Sequence, residues 1–231
     1  LREQIENKQY KANSILPSEN ELARKYNVSR ETIRKALLLL LENGYIHKIQ
    51  GKGSIVLDVH RYRLPVTGLL SFKERRQFQD VEATTKVIVN EEVEAPDFLV
   101  RLRLVKRGEK LIYLVRQRIV DGEAVILDKD YIRKSAIGEL PTDRVEESLY
   151  EYLENDLGIK ISYGNKDFKI EPVSEEDSTY IDLNGHKHIA VLRSDVYTEG
   201  TDFLHYTESR HRVDKFHFSE FARRKSNRIF I

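Results

Sequence analysis

The sequence predicts an α+β protein in two parts, a small helical head closed by a hairpin and a larger antiparallel-sheet domain. Three observations carry this expectation. Two short capped helices, separated by a brief turn and followed at once by a glycine-tipped hairpin, fill residues 15–57. Beyond residue 83, alternating runs pair into hairpins through short turns, with amphipathic helices between them. The 231 residues, 40% hydrophobic and 33% charged, also suit two domains of ordinary size. The expected boundaries are a head over 1–58, a connection over 59–67 and the sheet domain over 68–231.

The head is read first. The pattern opens at Leu1 without a start methionine, which makes the first helix look truncated. Ser18 followed three residues later by Glu21 is a capping box, so a helix starts at Glu19. Leu22, Ala23 and Tyr26 give it one apolar side, and Asn27-Val28 breaks it. Ser29 caps a second helix, whose Ile33, Ala36, Leu37 and Leu40 keep the 3.6-residue period until Asn43-Gly44. Two helices joined so tightly form a helix-turn-helix. Residues 45–49 and 54–57 then alternate around the turn Gln50-Gly51-Lys52-Gly53, where glycine supplies positive φ. A hairpin in this position is a wing, and its basic tip suits phosphate or a minor groove.

Charge agrees without deciding. Residues 1–60 carry 10 Lys and Arg against 7 Asp and Glu, a formal +3, whereas the remainder is −2. A basic head on an acidic body fits nucleic-acid contact at one end. The chain has no cysteine, which excludes disulfides and thiolate metal sites. No apolar run reaches the ~18 residues of a membrane span and no charged-then-apolar leader opens the sequence, so a soluble cytoplasmic protein is expected.

On the second helix Arg30, Glu31, Arg34 and Lys35 stay off the apolar face. Arginines near the start of a recognition helix can reach guanine edges or phosphates, and equally can be a solvated face. The residues Leu16 to Ala23, Ser29 to Leu37, and Gly44-Tyr45-Ile46 through Gly51-Lys52-Gly53-Ser54 resemble the GntR family of bacterial regulators. That resemblance implies contact with double-stranded operator DNA through Arg30, Thr32 and Arg34 and through the wing residues Gln50, Gly51, Lys52 and Gly53. Ser29, Lys35 and Lys48 complete the candidate interface. Asn20 stands where the family often has arginine, so no contact is assigned to the first of the two helices.

The larger part is read in the same way. Thr84–Val93 is a strand, and Pro96-Asp97 opens a short helix toward Leu104. Leu111–Val120 and Glu123–Ile132 form a hairpin about Asp121-Gly122. Thr142–Leu157 is expected as one amphipathic helix aligning Val145, Leu149 and Leu153 and ending at Gly158. Ile159–Pro172 is a strand, and Ser174 caps a helix through Leu183. His188–Tyr197 and Phe203–Val213 make a second hairpin.

No nucleophile elbow, P-loop or dinucleotide fingerprint is present, and the seven histidines show no metal-type spacing. No enzyme activity, metal or cofactor is therefore expected. Arg116 and Arg118 are two apart on a strand and share a face. Such a pair either grips an anion or is neutralised by carboxylates across the sheet. Asp128 and Asp130 suit hydroxyl binding or a solvated face. Tyr206, Glu208, Arg210 and Arg212 share one face of their strand, with Thr207, Ser209 and His211 opposite, which points to a pocket wall or a subunit contact.

Gly68 to Glu74, Val120 to Glu123, Ser148 to Leu153 and Tyr206 to Arg212 resemble the effector-binding domain called UTRA, found in the HutC subfamily of GntR regulators. The resemblance implies a chorismate-lyase-like fold that binds a small effector without catalysis. Ser71 to Glu74, Ile126 to Tyr131, Tyr206 to Arg212, Asp214 to Phe216 and Phe221 to Arg224 are similar to the branch that represses trehalose operons in Gram-positive bacteria, which implies trehalose 6-phosphate as inducer. The matching pocket positions are Ser71, Phe72 and Lys73. By the same resemblance Arg116 and Arg118 hold the phosphate, while Asp128, Ser148 and Glu208 take sugar hydroxyls and Tyr206 lies beside them. Another sugar phosphate, such as an amino-sugar 6-phosphate, is the rival effector, and a lyase-like enzyme domain the remote one. Two half-sites call for a homodimer, and the connection over 58–67 is the expected link from effector to DNA.

Overall fold

The structure is a computed structural model that describes residues 1–58, 69, 71–74 and 82–217. These fall into two compact units, one within residues 1–58 and one within 69–217. The connection expected over 59–67 lies outside the described residues.

In the first unit α1 (Arg2–Glu6), α2 (Glu19–Tyr26) and α3 (Arg30–Glu42) precede β1 (Ile46–Ile49) and β2 (Gly53–Val56). The caps are those expected. Ser18 and Glu21 close a reciprocal capping box, and the Ser29 hydroxyl accepts from the Thr32 N–H at 3.1 Å. Asn27 takes φ 52°, the left-handed conformation that stops α2 and lets Ser29 cap α3 two residues later. Leu22 from α2, Ile33, Leu37 and Leu40 from α3, and Ile46 and Val56 from the hairpin pack into one core with Ile5 and Leu16. The segment before α2 also joins the wing. Leu16 N–H donates to the Ser54 carbonyl and Val56 N–H to that of Ser14, both at 2.8 Å, with Ile15 bridged to Ile55. The wing is thereby tied to both ends of the helix pair.

The second unit is a six-stranded sheet built from β3 (Ala83–Glu94), β4 (Lys110–Val120), β5 (Glu123–Arg133), β6 (Ile161–Pro172), β7 (His188–Thr198) and β8 (Phe203–Arg212). The order is β3-β4-β5-β8-β7-β6, with every neighbouring pair antiparallel. The β4–β5 hairpin turns on Asp121 and Gly122, both at positive φ, which matches the twist of the flanking strands. Helices α4 (Asp97–Arg101), α5 (Lys134–Ile137), α6 (Thr142–Glu151) and α7 (Glu175–Tyr180) pack on it. Val145, Leu149 and Leu153 bury Ile112, Leu114 and Ile132 on one face. On the other, Ile181 after α7 covers Val115, Leu127, Ile189 and Val191, and Leu99 of α4 packs on Leu111 and Phe203.

Three helices are shorter than their apolar pattern. The segment expected as one helix over 142–157 is broken at Ser148, whose backbone is extended (φ −165°, ψ 116°). Its hydroxyl accepts from the Glu151 N–H at 3.3 Å, so Ser148 acts as the cap of a second piece that continues as a π-turn over Tyr152–Asp156. Helix α7 ends at Tyr180 because Ile181 turns to extended backbone to reach the core, and α4 ends at Arg101 rather than near Leu104.

Candidate functional site

On the head, Ser29, Arg30, Thr32, Arg34, Lys35, Lys48, Gln50, Gly51, Lys52 and Gly53 are all exposed, the first five along the start of α3 and the rest on the wing. Gly51 and Gly53 have φ of 79° and 97°, so the tip needs their freedom. Ser29 serves as the cap of α3 and its hydroxyl lies 2.8 Å from that of Thr32. Arg34 pairs with Glu31 at 3.0 Å and with Glu19 at 3.7 Å, and Glu19 also holds Lys48 at 3.3 Å. Exposed pairs of this kind are worth ~1 kcal/mol or less, so both cations remain available to a polyanion. Helix start, wing tip and the cations between them form one basic edge.

The sheet unit carries a cavity open to solvent, whose empty space of about 680 Å³ includes part of that solvent. Its floor is the pocket face of β4, β5 and β8, and α6 forms one wall. Arg116 Nη2 donates to Asp130 Oδ2 at 2.6 Å and Arg118 Nε to Asp128 Oδ2 at 2.8 Å. Arg118 also donates to the Thr85 hydroxyl at 2.6 Å and lies 4.6 Å from the Phe72 ring centroid, a cation–π contact. The second alternative for the arginine pair therefore holds: carboxylates across the sheet neutralise it, on a face that lines a cavity. Burial first, and then the Arg116 charge, push the Arg118 pKa down to about 10 against the pull of Asp128 and Asp130. Burial works to raise Asp128, but Arg118 and then Arg116 hold it well below the usual carboxylate range. Buried His205 is pushed down to about 4 by desolvation, against the opposing pull of Asp130, and stays neutral.

Ser71 caps the turn that carries Phe72 and Lys73, exchanging bonds with Glu74 at 2.7 and 3.1 Å. Lys73 reaches α6, with Glu151 at 2.7 Å and Glu147 at 2.9 Å, so it pairs there and not with Glu74. Ser148, at the helix break, is buried in the same wall.

Seven of the nine expected effector residues therefore meet in one cavity: Ser71, Phe72, Lys73, Arg116, Arg118, Asp128 and Ser148. Tyr206 and Glu208 do not. Asp128 faces Ser209 across the β5–β8 ladder and Asp130 faces Thr207, so the even-numbered residues of β8 point to the opposite face. There Glu208 binds Arg193 at 2.8 Å, Arg210 at 3.0 Å and Lys129 at 3.1 Å. Desolvation pushes against its charge, and those three cations hold its pKa low. Arg210 in turn forks onto buried Asp177 of α7 at 2.6 and 2.8 Å. Tyr206 packs edge-on against Phe98. Tyr206 and Glu208 thus face away from the cavity; Asp130, already suited to hydroxyls, lines it together with His205, Thr207 and Ser209, which the sequence reading did not assign to the pocket. The pattern His205-x-Thr207-x-Ser209-x-His211 was the available signal.

Comparison with known proteins accords with both units. The family model for bacterial regulatory proteins, gntR family, matches residues 1–56, and the UTRA domain model matches residues 79–217. The HTH-type transcriptional regulator TreR of Bacillus subtilis (strain 168) is 46% identical over 226 residues, 97% of this chain and 94% of that protein. The chain belongs to the GntR family. It is a transcriptional regulator of the GntR type with a UTRA domain, not an enzyme. Two solved structures share its architecture. The effector-binding domain of the B. subtilis trehalose repressor superposes with a TM-score of 0.57 at 38% identity, covering 62% of this chain and 99% of that one. The possible transcriptional regulator YydK of B. subtilis reaches 0.79 over 96% of both chains at 23% identity, a likeness of fold. Among the described residues of this GntR regulator no helix is long and apolar enough to cross a membrane.

Proposed function

We propose that this GntR regulator is a homodimeric repressor of a trehalose-utilisation operon, released from its operator when trehalose 6-phosphate fills the sheet-unit cavity. The observation that carries the reading is the cavity floor, where Arg116 and Arg118 lie beside Asp128 and Asp130 on one buried face. Guanidiniums suit a phosphate and carboxylates suit hydroxyls, and a phosphorylated disaccharide has both. Likeness to the regulator TreR over nearly the whole chain, and to the effector-binding domain of the trehalose repressor over 62% of it, supports a ligand derived from trehalose. The DNA half of the reading uses Arg30, Thr32 and Arg34 at the start of α3 for bases and phosphates, with the wing from Lys48 to Gly53 on the backbone.

Induction requires that trehalose 6-phosphate bind the arrangement unable to hold DNA more tightly than the competent one. A hundredfold change in operator affinity needs about 2.7 kcal/mol of such difference. The test is calorimetry of the full chain against trehalose 6-phosphate, trehalose, glucose 6-phosphate and N-acetylglucosamine 6-phosphate, paired with gel retardation of operator fragments. Trehalose 6-phosphate is expected to bind and to release DNA while trehalose does neither. Heat and release with the amino-sugar phosphate alone would overturn the choice of effector, and turnover of chorismate-like substrates would overturn the class.

A further inference from the structure

The pocket face of β8 carries His205, Thr207, Ser209 and His211 in alternation, and β5 sets Asp130 opposite Thr207 and Asp128 opposite Ser209. Each trio is in hydrogen-bond contact. Thr207 Oγ1 donates to Asp130 Oδ1 at 2.5 Å and lies 3.0 Å from His205 Nδ1. Ser209 Oγ donates to Asp128 Oδ1 and lies 2.8 Å from His211 Nε2.

A hydroxyl has a single proton, and an ionised carboxylate can only accept. With that proton given to the aspartate, the hydroxyl oxygen must accept from the imidazole. The directions of both relays follow: His205 carries its proton on Nδ1, His211 on Nε2, and both chains of bonds run toward the carboxylates. The second oxygen of each carboxylate is held by a guanidinium, Arg116 for Asp130 and Arg118 for Asp128. Both aspartates are thus fixed at two atoms, in a buried setting, and face the cavity as acceptors. His205 Nε2, the nitrogen left without a proton, is a buried atom with no partner among the described residues. The carboxylate oxygens of such a floor favour hydroxyl donors, whereas the guanidiniums beside them suit an anion.

We propose that Thr207 and Ser209 are positioning residues, which orient Asp130 and Asp128 to read the hydroxyls of the uncharged sugar portion of the effector. This rests on the reading of the cavity as a sugar-phosphate site. It separates two recognitions within it, polyol on the Asp128–Asp130 floor and phosphate toward the guanidinium edges and the Ser71–Lys73 turn.

The test has two arms. In the first, 15N NMR of the imidazoles in the ligand-free full chain is expected to show the Nδ1–H tautomer for His205 and the Nε2–H tautomer for His211. An Nε2–H signal for His205 would overturn the relay whatever the ligand proves to be. In the second, calorimetry compares the parent chain, Thr207→Val, which is nearly isosteric, and Thr207→Ser. Trehalose 6-phosphate should bind Thr207→Val roughly tenfold more weakly, inorganic phosphate should bind it within twofold of the parent, and Thr207→Ser should restore the sugar phosphate. Equal losses for both probes, or no loss for either, would overturn the positioning role. If the parent chain ignores trehalose 6-phosphate but takes another sugar phosphate, the choice of effector has failed and the same comparison on that ligand still decides the relay.

Discussion

Replacing Asp128 by alanine isolates what the carboxylate does for its arginine. The Arg118–Asp128 pair spans 2.8 Å with side chains only 4% and 6% exposed, so water cannot take over when one partner leaves. Stranding a buried guanidinium costs about 3–5 kcal/mol. For a unit of this size each kcal/mol corresponds to a Tm shift of about 2–4 °C, which places the expected loss between roughly 6 and 20 °C. The deficit is an unpaired positive charge at the cavity floor, so an anion should repair part of it. Inorganic phosphate at a hundred times its Kd for Asp128→Ala returns about 2.7 kcal/mol, and the same concentration should return less to the parent chain. Calorimetric melts of Asp128→Ala and the parent chain, with and without phosphate, measure both quantities. A loss below ~1 kcal/mol, or the same phosphate gain in the two proteins, would refute the view that Asp128 occupies an anion position at Arg118.

Three further outcomes are expected. His205 has a folded pKa of about 4, below its ordinary 6.5, so between those values the unfolded chain binds a proton that the folded chain refuses. The stability it contributes is complete above pH 6.5 and lost as pH falls toward 4, in total about 3 kcal/mol, and urea titrations of His205→Asn should show that slope flattened. Glu208→Gln should lower stability by about 3 kcal/mol by leaving Lys129, Arg193 and Arg210 in excess positive charge, yet leave trehalose 6-phosphate affinity within twofold by calorimetry. Lys52→Ala at the wing tip should reduce the slope of log operator affinity against log salt by about one and weaken all sequences alike, as fluorescence anisotropy across a salt series would show.

Most of the fold was legible in the sequence because its signals are local. Ser18 with Glu21, Ser29 before Ile33, and Asp121-Gly122 each act within four residues, and each is realised as expected. Ser148 shows where that reasoning stops. Its neighbours Val145, Leu149 and Leu153 keep helical spacing, so periodicity reads straight through a break that one serine makes by capping instead of continuing. The cavity was legible as far as single strands allow. Arg116 and Arg118 share a face by alternation alone, but which face of β8 meets them depends on register between β5 and β8, strands separated by some 70 residues. Without that register Glu208 looks like a sugar ligand, and Thr207 and Ser209 look like its backing.

That register has a consequence for how such a regulator can diversify. Along β8 the odd-numbered residues from His205 to Ser209 line the cavity, and the even-numbered ones, Glu208 and Arg210 above all, lock α7 and β6 to the sheet. Parity divides the strand into a vocabulary for ligands and a grammar for the fold. Substitutions at odd positions change the lining of the cavity while the frame holds. A one-residue slip of β8 against β5 and β7 would exchange the two sets at a stroke, whereas a slip of two would keep them in phase.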